Sequence, residues 1–460
     1  MNDVKNNYNK IKESSFKKEI SLFGGVSILG GIMVGSGIFY LGSYVLMRTG
    51  MSLGLALLSW IIGGLVSLLG GICYAELGAS DPSTGGTTVY LRKAYSPMVG
   101  FLNGFNSWLI GGPGSIAALA IALPSALTNI IPMGQWTIKI IAIILIISLT
   151  VVNYFGVKFG SKLQNISMIL KLIPIGIILV LGLLMGDVTP DLSLTPVTGE
   201  VSFSSIISMV AFAVVATLWA YEGWTNLNTV AEEVKNPKKN LPLAIIISIV
   251  SITLLYTLFN YSIYRVLPFA EIERLLANNE FYLGTYAAER LMGNSGRILV
   301  ISGMVVAMFG SLNGCILAFP RMYYAMSEEG HFFQSFKKLH PVYKVPYAPL
   351  IAQCVISILL VLLRNLNQLT SLVVFSGMIF NTLSVFAVMI YRRKFPTIER
   401  PYKVIGYPIT VILTTLIFIG LLVNTFIEDP LTSIIGLSVP AIGILFYYYF
   451  DRKLKSTKNI

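Results

Sequence analysis

Two short runs carry chemistry that their apolar surroundings make costly. The first is Val34-Gly35-Ser36-Gly37-Ile38-Phe39, in a segment that also holds Gly24, Gly25, Gly30, Gly31 and Gly42. Glycine inside a helix costs about 1 kcal/mol relative to alanine, so this density favours local unwinding. Unwound, the run would present the amides of Ser36, Gly37 and Ile38 at the start of a half-helix, where bare N–H groups and the helix dipole attract a carboxylate. The same glycines could instead form a packing notch for a neighbouring helix. The second run is Leu218-Trp219-Ala220-Tyr221-Glu222-Gly223-Trp224. If it too unwinds around Gly223, the carbonyls near Trp219, Ala220 and Tyr221 could accept hydrogen bonds from an ammonium. A carboxylate held at one break and an ammonium at the other describe an α-amino acid.

Two ionisable residues stand alone in apolar runs, Lys171 and Glu222. Charges at such depth are costly and line a cavity or pathway, or else pair structurally with backbone carbonyls or a partner. Other chemistries find no support. No GxxxxGK[ST] loop is present, which argues against an ATP-driven pump. His331 and His340 share one basic loop and offer neither an HxxxH metal pair nor a base within reach of a nucleophile, so no enzyme, metal site or cofactor is expected. Cys73, Cys315 and Cys354 all fall in apolar segments, which speaks against a disulfide framework.

The elements that must position these residues follow from composition. Of 460 residues, 55% are hydrophobic and 12% charged, about half the charged fraction of ordinary soluble domains, and the mean hydropathy is +0.75. This predicts an integral membrane protein in contact with a lipid bilayer and without an appended soluble domain. Apolar runs of about 20 residues, the length of one crossing, predict twelve spans at 20–47, 52–79, 97–128, 136–157, 162–186, 203–231, 241–267, 296–327, 347–363, 367–391, 406–427 and 431–450. The lysine-bearing start leads into no cleavable leader.

Alternating the spans puts 25 of the 33 Lys and Arg on the side of the N-terminal tail and 7 opposite, leaving Lys171. By the positive-inside rule, both termini are expected in the cytoplasm of a multi-pass cell-membrane protein. The net charge of +12 is thereby topological and does not indicate nucleic acid. Breaks in the first and sixth spans are what two inverted repeats of five helices would produce, with a site at the midplane. The predicted fold is all-α with twelve transmembrane helices, a 5+5 inverted-repeat arrangement and discontinuous helices one and six. The division is a tail (1–19), a transport core (20–395), helices eleven and twelve (396–450) and a second tail (451–460).

At this point the sequence resembles the amino acid, polyamine and organocation transporter superfamily, and within it the L-type branch with its bacterial serine/threonine exchanger relatives. The likeness rests on Gly35 to Phe39, Tyr74 to Gly78 with Pro82, Gly85, Gly86 and Tyr90, Trp219 to Trp224, Glu232-Glu233, Asn236-Pro237 and Asn240-Leu241-Pro242. It continues through Gly310 to Gly314, Arg321, Glu329-Gly330-His331 and Glu399-Arg400-Pro401, nearly the whole chain. The resemblance implies that Gly35, Ser36 and Gly37 hold a substrate carboxylate, and that Trp219, Ala220 and Tyr221 offer carbonyls to its amine, with the Trp219 ring as inner gate. It implies that Lys171 replaces a sodium ion by bridging the first and eighth helices, through Asn313 or its neighbours, and that Asp81 to Ala94 form a partly re-entrant inner loop. Glu222 departs from the common pattern. The external cysteine that binds a heavy subunit in eukaryotic members has no match between Ile130 and Trp136, so no disulfide-linked partner is expected. The implied function is sodium-independent exchange of small to medium neutral L-amino acids by alternating access. The alternatives are a cationic amino acid or polyamine antiporter and, from another class, a non-transporting sensor or a channel.

Overall fold

The computed structural model describes residues 20–458 apart from 36, 83–85, 129–130, 156–169, 198, 200, 329–331 and 344. Ser36, Gly85, Lys158, Lys162, the Glu329-Gly330-His331 run, Lys344 and the N-terminal tail therefore lie outside the described residues.

The described backbone is helical, without a named strand. In chain order the α-helices are α1 (Leu22–Met33), α2 (Gly37–Arg48), α3 (Leu53–Ser80), α4 (Gly86–Ala94), α5 (Pro97–Asn106), α6 (Gly112–Leu127), α7 (Gln135–Tyr154), α8 (Leu172–Met185) and α9 (Phe203–Tyr221). They continue as α10 (Pro237–Val266), α11 (Phe269–Ala277), α12 (Leu283–Met292), α13 (Asn294–Glu328), α14 (Tyr347–Leu363), α15 (Leu366–Lys394), α16 (Ile409–Glu428) and α17 (Pro430–Lys458). Among the described residues nine helical spans are long and apolar enough to cross a bilayer, or ten when the bent pair α1 and α2 counts as one. The α8 and α14 helices are apolar but shorter. On α7 the side chains of Ile140, Ile144, Ile147 and Val151 are exposed at helical spacing, as befits a face turned to lipid.

Two spans are interrupted where the sequence leads one to expect a break, and a third element differs from expectation. The first span is two helices meeting at 54°. The α-helix of the sixth ends at Tyr221 and is followed by a 3₁₀ turn, Asn226–Glu233. The stretch between the seventh and eighth spans, expected as a loop, folds into the short amphipathic helices α11 and α12. Their charged faces, with Glu271, Arg274, Glu289 and Arg290, conceal a small apolar side that buries Ile272, Leu275, Leu283 and Ala287.

The α10 helix lies along α3 and α1, while α9 packs on α3 and α2. At the tail-side end of α3, Glu76 is buried and accepts 2.7 Å hydrogen bonds from Arg392 Nε and Nη2 and from the Val404 amide. Arg400 Nε approaches it at 3.9 Å, and Asp81 pairs with Lys93 on α4 at 2.6 Å. One buried carboxylate thus joins α3 to the end of α15 and the strand of chain beyond it. At the opposite end the α11–α12 connection plugs the bundle. Ser43 Oγ donates to Phe281 O at 2.6 Å, Tyr44 stacks on Phe281 with ring centres 5.0 Å apart, and Tyr282 OH donates to Ala122 O at 2.8 Å.

Candidate binding site between two broken helices

The two breaks face each other. A Cβ on Gly37 would stand 3.1 Å from both Cα and Cβ of Ala220, so any side chain there would push the first helix a few tenths of an ångström away from the sixth. Gly223 has φ +123°, and a Cβ there would come within 2.5 Å of the Ile32 side chain. Both the left-handed backbone and this close approach require glycine, so the residue just past the cap of α9 also makes room for the first break. A Cβ on Gly35 would meet only the carbonyls of Ile32 and Met33, at 3.8 and 3.9 Å, an ordinary contact, and Val34 ends α1 with its amide bonded to Gly30 O at 3.0 Å.

The other site residues take distinct positions. Ile38 is buried in the first turn of α2. Trp219 is half-buried and packs at the edge of an apolar cluster containing Phe105, Ile110, Tyr323 and Phe332. Tyr221 points away from the first break: fully buried, its hydroxyl donates to Trp60 O on α3 at 2.8 Å. The Trp219 carbonyl accepts the Glu222 amide at 3.3 Å. Lys171, 4% exposed, immediately precedes α8, and its ammonium donates to the carbonyl of Gly31 just before the first break. Asn313 is buried on α13, where its Oδ1 accepts a 2.9 Å bond from Asn153 on α7.

Glu222 caps the broken end of α9 and is accessible at a depth where its neighbours are not. It lines a cavity of about 20 Å³ with Ser67, Trp224, Met378, Asn381 and Phe418, room for about one water. That cavity lies between α3, α9, α15 and α16, and its lining includes no residue of the first helix. Among the described residues no cation lies within 4 Å of its carboxylate.

Sequence reasoning missed Tyr256. From α10 its hydroxyl lies 2.7 Å from Met33 O and 3.0 Å from Ala220 O. One phenol thereby ties the carbonyl that ends α1 to a carbonyl of the last turn of α9. Its setting, Leu254-Leu255-Tyr256-Thr257, offers no signal that could have singled it out.

The limbs of the first helix differ in burial. Nine of the twelve residues of α2 are buried, Gly37 to Ser43 with Val45 and Leu46, against Gly25, Leu29 and Met33 alone in α1. Gly31, Ile32 and Gly35 remain accessible on the tail side of the break.

Fold and site together define a helical multi-pass membrane protein with a pair of interrupted helices apposed at their breaks. Residues 20–448 match the family model for amino acid permeases, and the chain belongs to that family, a family of transporters and not of enzymes. It is 32% identical over 446 residues to the serine/threonine exchanger SteT of Bacillus subtilis (strain 168), covering 96% of this chain and 99% of that one. It is 30% identical over 450 residues to the human large neutral amino acids transporter small subunit 2, covering 96% and 82%. It is 29% identical over 454 residues to the human b(0,+)-type amino acid transporter 1, covering 95% and 89%.

Proposed function

We propose that the protein is a sodium-independent exchanger of small to medium neutral L-amino acids that works by alternating access, with twelve spans built as two inverted repeats of five and two further helices. The observation that carries this is the apposition of the two breaks, Gly37 against Ala220 and Gly223 against Ile32. Interrupted helices are tolerated within lipid only where backbone lines a protein cavity. In this reading Gly35, Ser36, Gly37 and Ile38 hold the substrate carboxylate, and the carbonyls of Trp219, Ala220 and Tyr221 take the ammonium. Trp219 closes the tail-side path. The ammonium of Lys171 occupies a fixed position against the first helix and removes the need for a sodium ion there. The 25-to-7 partition of basic residues supports cytoplasmic termini in the cell membrane. On that orientation the accessible α1 limb and the buried α2 limb describe a state open to the cytoplasm. The three cysteines, all within helices, support a carrier without a disulfide-linked subunit.

The test is purified protein in liposomes preloaded with unlabelled amino acid, with uptake of labelled serine and a competition series. Uptake stimulated by internal serine, threonine or alanine is the expected result. Binding without flux would indicate a sensor, and flux without stimulation from the far side a channel. A cationic substrate is the second reading, favoured by the accessible Glu222 carboxylate, which no cation among the described residues approaches within 4 Å, and by the likeness to the b(0,+)-type transporter. Inhibition by arginine but not by serine would select it.

A further inference from the structure

Arg48 ends α2 at the face opposite the tails, and three helices converge on its planar guanidinium. Nη1 donates to Phe212 O on α9 at 2.9 Å, and Nη2 donates to Asn367 Oδ1 at 3.0 Å and Ser371 Oγ at 3.1 Å, both on α15. The guanidinium carbon lies 3.9 Å from the centre of the Phe212 ring. The fork geometry of arginine suits this several-way grip in a way that a lysine ammonium does not.

The position of this grip gives it meaning. Arg48 and Phe212 sit on the same two helices whose breaks form the candidate site, three turns beyond Gly37 and two turns before Ala220. All three acceptors are neutral, and no carboxylate lies within 4 Å of the guanidinium among the described residues. The charge is favoured where it stands by the C-terminal end of the α2 dipole and by the carboxylate of Asp429, which attracts it from beyond ion-pair distance. Neutral acceptors exchange for water more readily than a buried carboxylate does. The contrast is with the opposite end, where Glu76 grips Arg392 as a buried ion pair. One end of the bundle is fastened by an ion pair, the other by bonds that water can replace.

We propose that Arg48 is the latch of the outer gate. Its bonds to Phe212, Asn367 and Ser371 hold α2, α9 and α15 together over the site, and their release accompanies opening toward the face opposite the tails. This inference rests on the transport reading above.

The test uses the full chain in liposomes with a reporter cysteine, Ala216→Cys. Ala216 is 7% exposed and stands one turn from both Phe212 and Ala220. The parent, with only Cys73, Cys315 and Cys354, is the labelling blank. A membrane-impermeant thiol reagent is applied to the face opposite the tails. Arg48→Ala should speed labelling of the reporter by at least about tenfold, the effect of losing one hydrogen bond to a charged group. Asn367→Ala combined with Ser371→Ala, which leaves the arginine in place, should do the same, and Arg48→Lys should fall between. The KM for substrate offered from that face should shift relative to the KM from the tail side, an asymmetry that a general loss of stability does not produce. Unchanged labelling and an unchanged KM ratio in variants that still exchange substrate would overturn the latch. A parent that exchanges no amino acid would overturn the transport reading instead.

Discussion

Lys171, Tyr256 and Gly223 hold the two breaks in register by different physics. The lysine supplies a buried cation to a carbonyl, the tyrosine a single proton placed between two carbonyls, and the glycine the absence of a side chain. Lys171→Ala should leave a folded, correctly sized protein with transport abolished or severely slowed, read from liposome uptake beside size-exclusion profiles. Unchanged flux would refute the assignment. Gly223→Ala must adopt φ +123° and push aside Ile32, at a cost of about 1–3 kcal/mol, so its thermal midpoint in detergent should fall together with substrate binding. Tyr256→Phe removes only the hydroxyl that Met33 O and Ala220 O share. It should lower the exchange rate more than the amount of folded protein, a split visible when uptake is normalised to purified carrier.

The first and sixth helices are tied together at two levels. Besides the Tyr256 bridge, the Lys235 amide donates to Ile20 O at 2.8 Å, so the tail-side foot of α1 is fastened to the chain that follows α9. Under the proposed alternating access, these contacts would let the two broken helices move as a unit against their neighbours. The Glu76 knot fastens α3 to α15 on the tail side. Removing one partner of a buried ion pair leaves the remaining charges uncompensated and costs about 3–5 kcal/mol. Glu76→Ala should therefore lower the thermal midpoint strongly, measured by fluorescence-detected gel filtration after heating. A midpoint equal to the parent's would show that water fully replaces the carboxylate.

The assembled carrier should exchange substrate at the same rate when sodium is replaced by choline, because the Lys171 ammonium needs no ion to accompany it; sodium-stimulated uptake would contradict this. Composition alone determined that the chain lives in lipid, since 460 residues with 12% charge cannot cover a water-facing surface. The two breaks were legible as well, because the backbone cost of glycine and the burial cost of Glu222 act on the chain locally. The helices α11 and α12 were hidden because their apolar sides are short and interleaved with charge. The partners of Tyr256, Arg48 and Glu76, and the side of α9 to which Glu222 turns, were decided only by the tertiary structure. Membrane helices are apolar around their whole circumference, so no periodic stripe in the sequence records which azimuth meets which neighbour. That information resides in the packing of one helix against the next, where a single hydroxyl or guanidinium finds carbonyls many residues away.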